Sequence, residues 1–370
     1  MLLALLSLCI WLYLFFVHGR FWRSKPELAP AMPAQFPDVD IIVPARDEAE
    51  TIGRAIASLA AQEYPGGFRI IVVDDGSTDG TAEFAAAGRP SAGAPLNVVR
   101  AQPKPEGWSG KLWALSQGVE LARAPVLLFT DADIVHDPRH LATLISRLNA
   151  PPVDMVSEMV RLNCSSAAEC GLVPAFVYFF QMLYPFAKVN DPASKVAAAA
   201  GGTVLIRREA LDRIGGVASI KGALIDDVAL ARAVKRGGTV FLGHSGLAAS
   251  IRRYPHAADI WNMIARTAFT QLHHSTMLLA LTLMGLTLVW WVPVCEAVLG
   301  HGWQRACGLI AFALGSVSFL PTLARYERNP VWSLALPLIA LFYMSATLGS
   351  ALRFWRGSGA RWKERDYGAP

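Results

Sequence analysis

Four long stretches of the chain contain no charged residue, and they constrain its fold more than any other feature. They cover residues 1–19, 277–295, 306–324 and 329–352 of a 370-residue chain. A helix needs roughly 20 predominantly apolar residues to cross the hydrocarbon core of a bilayer. The chain is 53% hydrophobic and 17% charged, and this fraction of charged residues is lower than that of an average soluble domain, about 25%. The sequence therefore excludes a purely soluble or disordered protein and predicts four membrane segments.

The first segment, 1–19, is open to two interpretations, a cleaved signal peptide and a retained anchor. A signal peptide carries its cations before its apolar run. Here Arg20, Arg23 and Lys25 follow the run instead. The positive-inside rule then places the following chain in the cytosol, so we predict an N-terminal transmembrane anchor.

The region 277–352 holds the other three segments, and a basic tail, 353–370, follows it. The charges that flank these segments contribute to the net charge of +5. They suit an anionic lipid surface, and the sequence contains no nucleic-acid-binding motif, so the predicted partner is the bilayer. Three crossings would place the tail outside, against the positive-inside rule. We therefore predict that one segment, interrupted by Pro293, Pro321 or Pro337, is re-entrant.

Residues 36–255 have the length and pattern of one α/β domain. Short apolar runs at 39–43, 68–73 and 126–130 read as strands, and helical patterns at 49–61 and 78–87 lie between them. Alternating strands and helices predict a mostly parallel sheet covered on both faces. Two apolar tracts, 165–187 and 257–275, are predicted to be helices at the membrane interface, and the first could equally be a buried helix of the domain.

Polar residues follow the predicted strands, where ligands bind in such sheets. Pro44 and Glu48 follow the first strand, and Asp75 follows the second within Asp-Asp-Gly-Ser-Thr. A capped turn would also explain these residues. Asp131 and Asp133 follow the third strand and point to the same side of an extended chain. Because Mg²⁺ commonly takes one or two carboxylates and completes its shell with phosphates and water, this pair predicts a metal and diphosphate site.

Three further motifs could complete this site. A glycine-punctuated loop carries Trp108 and Lys111 and could approach phosphates, although a plain surface loop fits it as well. The pair Gly201-Gly202 precedes a short apolar run. Asp226 and Asp227 begin a helical pattern, either as a helix cap or as a base whose pKa a neighbouring carboxylate and burial would raise.

Taken together and in order, these motifs resemble a family 2 glycosyltransferase domain of the GT-A fold over roughly residues 38–255. The loop around Trp108 and Lys111, the three C-terminal segments and the tail around Trp362 are most similar to the bacterial hopanoid-biosynthesis-associated glycosyltransferases, related to ceramide glucosyltransferases. The resemblance implies a protein of the bacterial inner membrane that passes the bilayer several times and keeps its catalytic domain in the cytosol. It also implies an inverting transfer from a nucleotide sugar, with a UDP-sugar expected, to a membrane lipid in hopanoid or glycolipid biosynthesis.

The resemblance also implies roles for single residues. Pro44, Glu48 and Asp75 would hold the nucleoside, and Lys111 would approach the diphosphate. Asp131 would contact the ribose or the metal, Asp133 would ligate Mg²⁺ or Mn²⁺, and Asp227 would be the general base next to Asp226. Residues on the acceptor side or at the interface would be Trp108, Gly201, Gly202, Arg266 and Trp362.

One departure from the family concerns the tract 257–275. Many relatives carry Gln-x-x-Arg-Trp there, whereas this chain reads Met-Ile-Ala-Arg-Thr and keeps only Arg266, which could also simply pair with anionic lipid. The departure disfavours a processive polysaccharide synthase, which remains an alternative. A non-catalytic membrane module that binds nucleotide or lipid is a second alternative, and a nucleotidyltransferase is a third.

Overall fold

The computed structural model describes residues 2–89, 94–357, 360–362 and 365–367. The chain forms two compact units. An α/β unit comprises Pro26–Asn163 and Lys188–Arg252, and a helical unit comprises Met1–Lys25, Cys164–Ala187 and Arg253–Pro370. The α/β unit thus differs from the predicted range 36–255, because the aromatic tract in its middle belongs to the helical unit.

Nine strands in the described part of the α/β unit form one sheet. They are β1 (Glu27–Leu28), β2 (Val39–Ala45), β3 (Phe68–Asp74), β4 (Leu96–Arg100), β5 (Val126–Thr130), β6 (Ile134–His136), β7 (Met155–Arg161), β8 (Thr203–Arg207) and β9 (Val240–Ser250). Their order is β1-β9-β7-β8-β5-β2-β3-β4, and β6 pairs with β9. All pairs are parallel except those that β8 makes with β5 and β7 and that β6 makes with β9. The prediction of a mostly parallel sheet is confirmed.

The helices of the described chain are numbered across both units. They are α1 (Leu2–Phe16), α2 (Ile52–Ala60), α3 (Thr81–Ala87), α4 (Gly110–Leu121), α5 (His140–Asn149), α6 (Ala167–Leu183), α7 (Phe186–Val189), α8 (Arg208–Arg213), α9 (Asp226–Lys235), α10 (Ala257–Ala265), α11 (Ala268–Gln271), α12 (Thr276–Leu286), α13 (Val292–Leu299), α14 (Trp303–Arg325) and α15 (Leu336–Trp355). Short 3₁₀ helices cover Phe21–Arg23, Val217–Ile220 and Pro330–Ala335, and a π-helix, Thr287–Trp291, joins α12 to α13.

Both faces of the sheet are buried, which explains why β2 reads as a continuous apolar run. Ile41 and Val43 pack into one core with Ile52 and Ile56 of α2. The side chain between them, Ile42, points to the other face, where a Cβ on Gly118 of α4 would come within 2.4 Å of it. Since successive residues of a strand face opposite sides, helices cover the sheet on both faces.

The predicted elements of the α/β unit are present, with later helix starts than predicted. The helix predicted from residue 78 begins at Thr81. Asp79 explains this difference, because its carboxylate accepts a hydrogen bond from the Thr81 N–H at 3.0 Å, and Gly80 has φ of 88°. A local Asx turn of this kind competes with helix formation.

The helical unit contains three helical stretches that are long and apolar enough to cross a membrane. They are Thr276–Leu299, Trp303–Arg325 and Pro330–Trp355, with 24, 23 and 26 residues. They correspond to the three uncharged C-terminal segments. Helix α1 has only 15 residues, and its role as an anchor stays a prediction. The tract 257–275 forms two helices, α10 and α11, rather than one.

Helix α6 is packed against other helices of its unit. The Tyr178 hydroxyl lies 2.6 Å from the Ser318 hydroxyl of α14, and the Tyr343 hydroxyl of α15 donates to the Leu172 carbonyl at 2.8 Å. Val177 and Tyr178 are fully buried. Of the two interpretations of tract 165–187, the structure supports the buried helix, but in the helical unit rather than in the α/β domain.

Candidate active site

The predicted site residues of the α/β unit come together at one edge of the sheet. Strands β2, β3, β5 and β9 run in the same direction, so their carboxyl ends lie at this edge. The antiparallel strand β8 begins at the same edge, because Thr203 pairs with Thr130 at the end of β5. Helices α4 and α9 also begin there, with Lys111 and Asp226 in their first turns.

A cleft opens at this edge. Its walls combine charged residues with an apolar lining that includes Leu112, Phe129 and Val217. The structure brings six of the predicted site residues into the cleft wall: Pro44, Lys111, Asp131, Gly201, Asp226 and Asp227. A largely apolar pocket with a few convergent charged groups is the usual form of a small-molecule site.

Lys111 bridges two carboxylates across the cleft. Its Nζ lies 2.9 Å from Asp131 Oδ1 and 3.2 Å from Asp226 Oδ2. Ser109 fixes the start of α4 as its N-cap, since its hydroxyl accepts from the Leu112 N–H at 3.3 Å. Burial lowers the pKa of Lys111, but the nearby carboxylates outweigh burial and raise the pKa above its ordinary value. The ammonium is therefore charged throughout the physiological range and available to an anionic ligand.

Asp131 is held at the end of β5 by its backbone. Its N–H donates to the Gly202 carbonyl at 3.2 Å, and the Thr130 hydroxyl donates to the same carbonyl at 3.0 Å. Burial and the neighbouring Asp133 raise the pKa of Asp131 against the opposing effect of Lys111. Gly202 thus acts through its backbone and connects the strand end to the loop before β8.

Asp227 is the most strongly perturbed carboxylate of the cleft. Burial, followed by the charge of Asp226, raises the pKa of Asp227 to about 7, although hydrogen bonds from the Val228 and Gly201 N–H groups lower it. Gly201 is tightly placed, because a Cβ there would lie 3.1 Å from Asp227 Oδ2. A carboxylate that titrates near neutral pH is suited to general base catalysis.

Asp133 and Glu48 are joined by a residue that the sequence analysis missed. The Arg252 guanidinium donates from Nε to Asp133 Oδ2 at 2.6 Å and from Nη2 to Glu48 Oε1 at 2.5 Å. Arg252 follows the end of β9, so the strand-end rule could have indicated it. The sequence does not reveal that β9 lies beside β7 and ends at this edge, because that pairing joins residues about 80 positions apart.

Asp75 lies at the end of β3 beside a second arginine. Its N–H donates to the Ala45 carbonyl at 2.9 Å, which continues the pairing of β2 and β3. The Arg46 guanidinium donates to the Asp75 carbonyl and lies 3.9 Å from the carboxylate. Asp75 is 4% exposed and is not among the residues that line the cleft.

The two carboxylates of Asp131 and Asp133 suit a divalent cation that takes its other ligands from a diphosphate and water. Within the residues that the structure describes, no group of three or more His, Cys, Asp and Glu side chains could hold a metal ion. Asp131 and Asp133 are two hard oxygen donors from one strand end, and both pair with cationic side chains. Two carboxylates suffice for Mg²⁺ or Mn²⁺ where a diphosphate and water complete the shell.

Of the predicted acceptor or interface residues in the α/β unit, Gly201 lines this cleft, whereas Trp108 and Gly202 do not. Trp108 packs on Trp113, with ring centroids 5.2 Å apart, in the loop before α4. Arg266 lies in the helical unit, where it caps the end of α10. Trp362 also belongs to the helical unit, in a short strand, Ala360–Trp362, that pairs with Arg365–Tyr367, and its side chain lies outside the described structure.

A family model and several known proteins match parts of this chain. Residues 40–215 match the family model described as glycosyl transferase family 2. A dodecaprenyl-phosphate galacturonate synthase of Rhizobium johnstonii is 29% identical over 126 residues, which are 34% of this chain and 36% of that protein. A 4,4'-diaponeurosporenoate glycosyltransferase of Staphylococcus aureus is 41% identical over 95 residues, 25% of this chain and 23% of that protein. The matches thus span about a third or less of these relatives.

One solved structure resembles nearly the whole chain. It is a mannosyltransferase from Pyrobaculum calidifontis in complex with GDP-Man and Mn²⁺. The TM-score is 0.58 at 21% identity, and the alignment covers 95% of this chain and 97% of that chain. At this identity the likeness shows the fold alone. The predicted GT-A fold with three C-terminal apolar helices is thereby confirmed.

Proposed function

We propose, because residues 40–215 match the family model described as glycosyl transferase family 2, that the protein is an inverting, metal-dependent glycosyltransferase that moves a sugar from a nucleotide sugar to a membrane lipid. The observation that carries the proposal is the cleft in which Lys111 bridges Asp131 and Asp226 beside the perturbed Asp227. A cation set among carboxylates binds and orients a diphosphate, while a base with a pKa near neutral activates an acceptor hydroxyl.

Asp227 acts as the general base in this proposal. Its carboxylate takes the proton of the acceptor hydroxyl, and the acceptor oxygen forms a bond to the anomeric carbon of the sugar. The bond from that carbon to the diphosphate breaks, and the nucleoside diphosphate leaves with the electron pair. A single displacement of this kind inverts the anomeric centre. The Gly201 N–H and the Val228 N–H orient the base, since both donate to Asp227.

The donor side of the cleft is assigned to the strand ends. Pro44, Glu48 and Asp75 hold the nucleoside, and Lys111 contacts the diphosphate. Asp133 and Asp131 hold Mg²⁺ or Mn²⁺, which when bound offsets the charge that develops on the departing diphosphate. The similar mannosyltransferase structure contains GDP-Man and Mn²⁺, which supports a nucleotide sugar and a divalent cation here. A UDP-sugar remains our expected donor.

A lipid acceptor is proposed from the membrane-length helices of the same chain. The names of two relatives, a dodecaprenyl-phosphate galacturonate synthase and a diaponeurosporenoate glycosyltransferase, point to long isoprenoid lipids. With the resemblance of its motifs, this supports a role in hopanoid or glycolipid biosynthesis. We place the protein in the bacterial inner membrane with its catalytic domain in the cytosol, where nucleotide sugars are available.

Release of nucleoside diphosphate by the purified protein in detergent tests this proposal. A panel of nucleotide sugars is offered with a bacterial lipid extract, in Mn²⁺ or in EDTA. We expect release that requires both lipid and Mn²⁺ and that falls at least ~100-fold in Asp227→Asn and in Asp133→Ala. The matched control is Asp212→Asn, an exposed carboxylate of α8, which should retain wild-type release.

The outcomes separate this proposal from its alternatives. Release with a full rate in EDTA would contradict metal dependence, and near-normal transfer by Asp227→Asn would contradict the base. Nucleotide binding without release, whatever the lipid, would favour a non-catalytic module. A product with more than one sugar added in succession would favour a polysaccharide synthase.

A further inference from the structure

The cleft edge contains a guanidinium bridge between two buried carboxylates. The Arg252 side chain donates to both Glu48 and Asp133, whose side chains are 9% and 8% exposed. The bridge is anchored next to Arg252, because the Ile251 N–H donates to the Asp133 carbonyl at 2.8 Å. Two buried like charges repel each other unless a cation lies between them, and Arg252 supplies that cation.

The position of this guanidinium matters for the cation that Asp133 is assigned to hold. Asp133 Oδ2 accepts from Arg252 Nε, so one lone pair of that oxygen and the space on that side are occupied by a positive group. A divalent cation that approached the same oxygen would meet both steric and electrostatic opposition. Arg252 therefore competes with the metal for Asp133 as long as its side chain stays on the bridge.

A diphosphate offers the guanidinium an alternative anionic partner. Arginine binds phosphate, as it binds carboxylate, through two parallel charge-assisted hydrogen bonds, so a bound diphosphate can replace Asp133 as its partner. We propose that Arg252 is a donor-binding residue that moves from Asp133 to the diphosphate and so couples metal binding to nucleotide binding. This inference rests on the function proposed above. It adds an order of binding, because the metal should bind weakly alone and tightly together with the diphosphate.

Binding of Mn²⁺ to the full-length protein in detergent tests this order directly. Free Mn²⁺ is measured by electron paramagnetic resonance, first with Mn²⁺ alone and then with inorganic diphosphate added. Inorganic diphosphate is the probe because it carries the group that Arg252 would contact whatever the base of the donor. For the wild type, we expect diphosphate to strengthen Mn²⁺ binding at least ~10-fold beyond the binding of Mn²⁺ to diphosphate in free solution.

Arg252→Gln should change the two measurements in opposite directions. Mn²⁺ alone should bind about tenfold more tightly than to the wild type, a factor that corresponds to about 1.4 kcal/mol, because the competitor is gone. The enhancement by diphosphate should fall to about twofold or less. Arg252→Lys keeps a positive charge but lacks the planar fork that binds phosphate through two parallel hydrogen bonds, so the enhancement by diphosphate should fall in it as well, which guards against a misfolded glutamine variant. The matched control is Arg253→Gln, the exposed neighbour, which should behave as the wild type.

Two results would overturn the inference in distinguishable ways. If the wild type binds Mn²⁺ with diphosphate but Arg252→Gln binds Mn²⁺ alone no more tightly and both Arg252 variants keep the full enhancement, the competition and the coupling are wrong while the proposed function stands. If the wild type binds no Mn²⁺ even with diphosphate, the metal-dependent function fails and this inference fails with it.

Discussion

Asp226 and Asp227 are adjacent residues of the same type at the start of α9, but their surroundings differ. Asp226 pairs with Lys111 at 3.2 Å. Asp227 is buried, and the Gly201 and Val228 N–H groups donate to it. The sequence motif could indicate that one of the pair is a base, but the roles depend on contacts with β8 and α4, which are remote in the chain.

The pH dependence of catalysis should report Asp227. Its pKa is raised to about 7, and a general base acts only when deprotonated. We therefore expect kcat/KM to fall about tenfold for each pH unit below 7 and to level off above it, because kcat/KM reports groups of the free enzyme. A pH profile of nucleoside diphosphate release between pH 5 and 9 measures this, and a profile that stays flat down to pH 5 would contradict the assignment.

A change at Asp226 provides the internal control for this profile. The charge of Asp226 contributes to the raised pKa of Asp227. Asp226→Asn should therefore move the acid limb to lower pH, while Asp212→Asn should leave it in place. An acid limb that moved to higher pH in Asp226→Asn would mean that another group controls it.

The glycine at position 201 should be required by the carboxylate beside it. A Cβ at Gly201 would lie 3.1 Å from Asp227 Oδ2, so alanine would displace the base. We expect Gly201→Ala to lower kcat at least ~10-fold, since a small misplacement of a reacting group is costly. In Gly246→Ala, where nothing lies within 4 Å, kcat should be unchanged. Equal kcat values in the two variants would exclude this steric role.

At the scale of secondary structure, a chain of buried polar side chains joins four elements behind the site. The Thr130 hydroxyl of β5 lies 3.2 Å from His136 Nε2 of β6, and His136 Nδ1 lies 3.1 Å from His140 Nδ1 of α5. His140 Nε2 in turn forms a hydrogen bond with the carboxyl group of Glu158 in β7. Because the Thr130 hydroxyl donates to the Gly202 carbonyl, it accepts from His136, and this fixes the tautomer of that ring.

The protein should lose stability at acid pH partly through His136. Burial, and secondarily the charge of His140, lower the pKa of His136 well below its ordinary value of 6.5. Below pH 6.5 the unfolded chain therefore binds a proton that the folded chain does not, and folding stability decreases as the pH falls. We expect the thermal unfolding midpoint to drop more between pH 7.5 and 5.5 in the wild type than in His136→Gln.

Far-ultraviolet circular dichroism of the protein in detergent follows this unfolding. The matched control is His301→Gln, an exposed histidine, whose midpoint should depend on pH as in the wild type. A wild-type pH dependence in His136→Gln would contradict this prediction. It would mean that the pKa of His136 does not differ between the folded and the unfolded chain.

The individual elements were easier to predict than their arrangement. The run 126–130 matches β5 residue for residue, because a short apolar run between turns has few other interpretations. The antiparallel insertion of β8 between β5 and β7 could not be read from the sequence. It depends on pairing between residues about 50 to 80 positions apart, for which the local pattern carries no signal.

At the scale of the whole chain, hydropathy identified the long helices but not their surroundings. Helix α6 has 17 residues and an apolar surface like that of a membrane helix, yet Tyr178 and Val177 are buried by protein. Apolar side chains that face lipid and those that face other helices are indistinguishable by composition. For the same reason, the sequence left two interpretations of this tract open, an interfacial helix and a buried helix of the α/β domain, whereas the tract belongs to the helical unit.

The continuity of the three long helical stretches bears on the predicted number of membrane crossings. A re-entrant segment was predicted from the prolines and from the basic tail. Pro321, however, lies inside an unbroken α14, and Pro293 and Pro337 are the second residues of α13 and α15, which continue directly from the π-helix and the 3₁₀ helix. Stretches of 24, 23 and 26 residues measure roughly 34 to 39 Å at 1.5 Å per residue, longer than the ~30 Å hydrocarbon core.

We therefore expect three crossings, which place residues 273 and 356 on opposite sides of the bilayer. Single cysteines, His273→Cys and Arg356→Cys, in a variant whose five native cysteines are replaced by alanine, can be labelled in sealed inverted vesicles with a membrane-impermeant maleimide. Only one of the two should react before the vesicles are opened with detergent, and both should react afterwards. If both reacted in sealed vesicles, the number of crossings would be even, and one of the three helical stretches would be re-entrant despite its length.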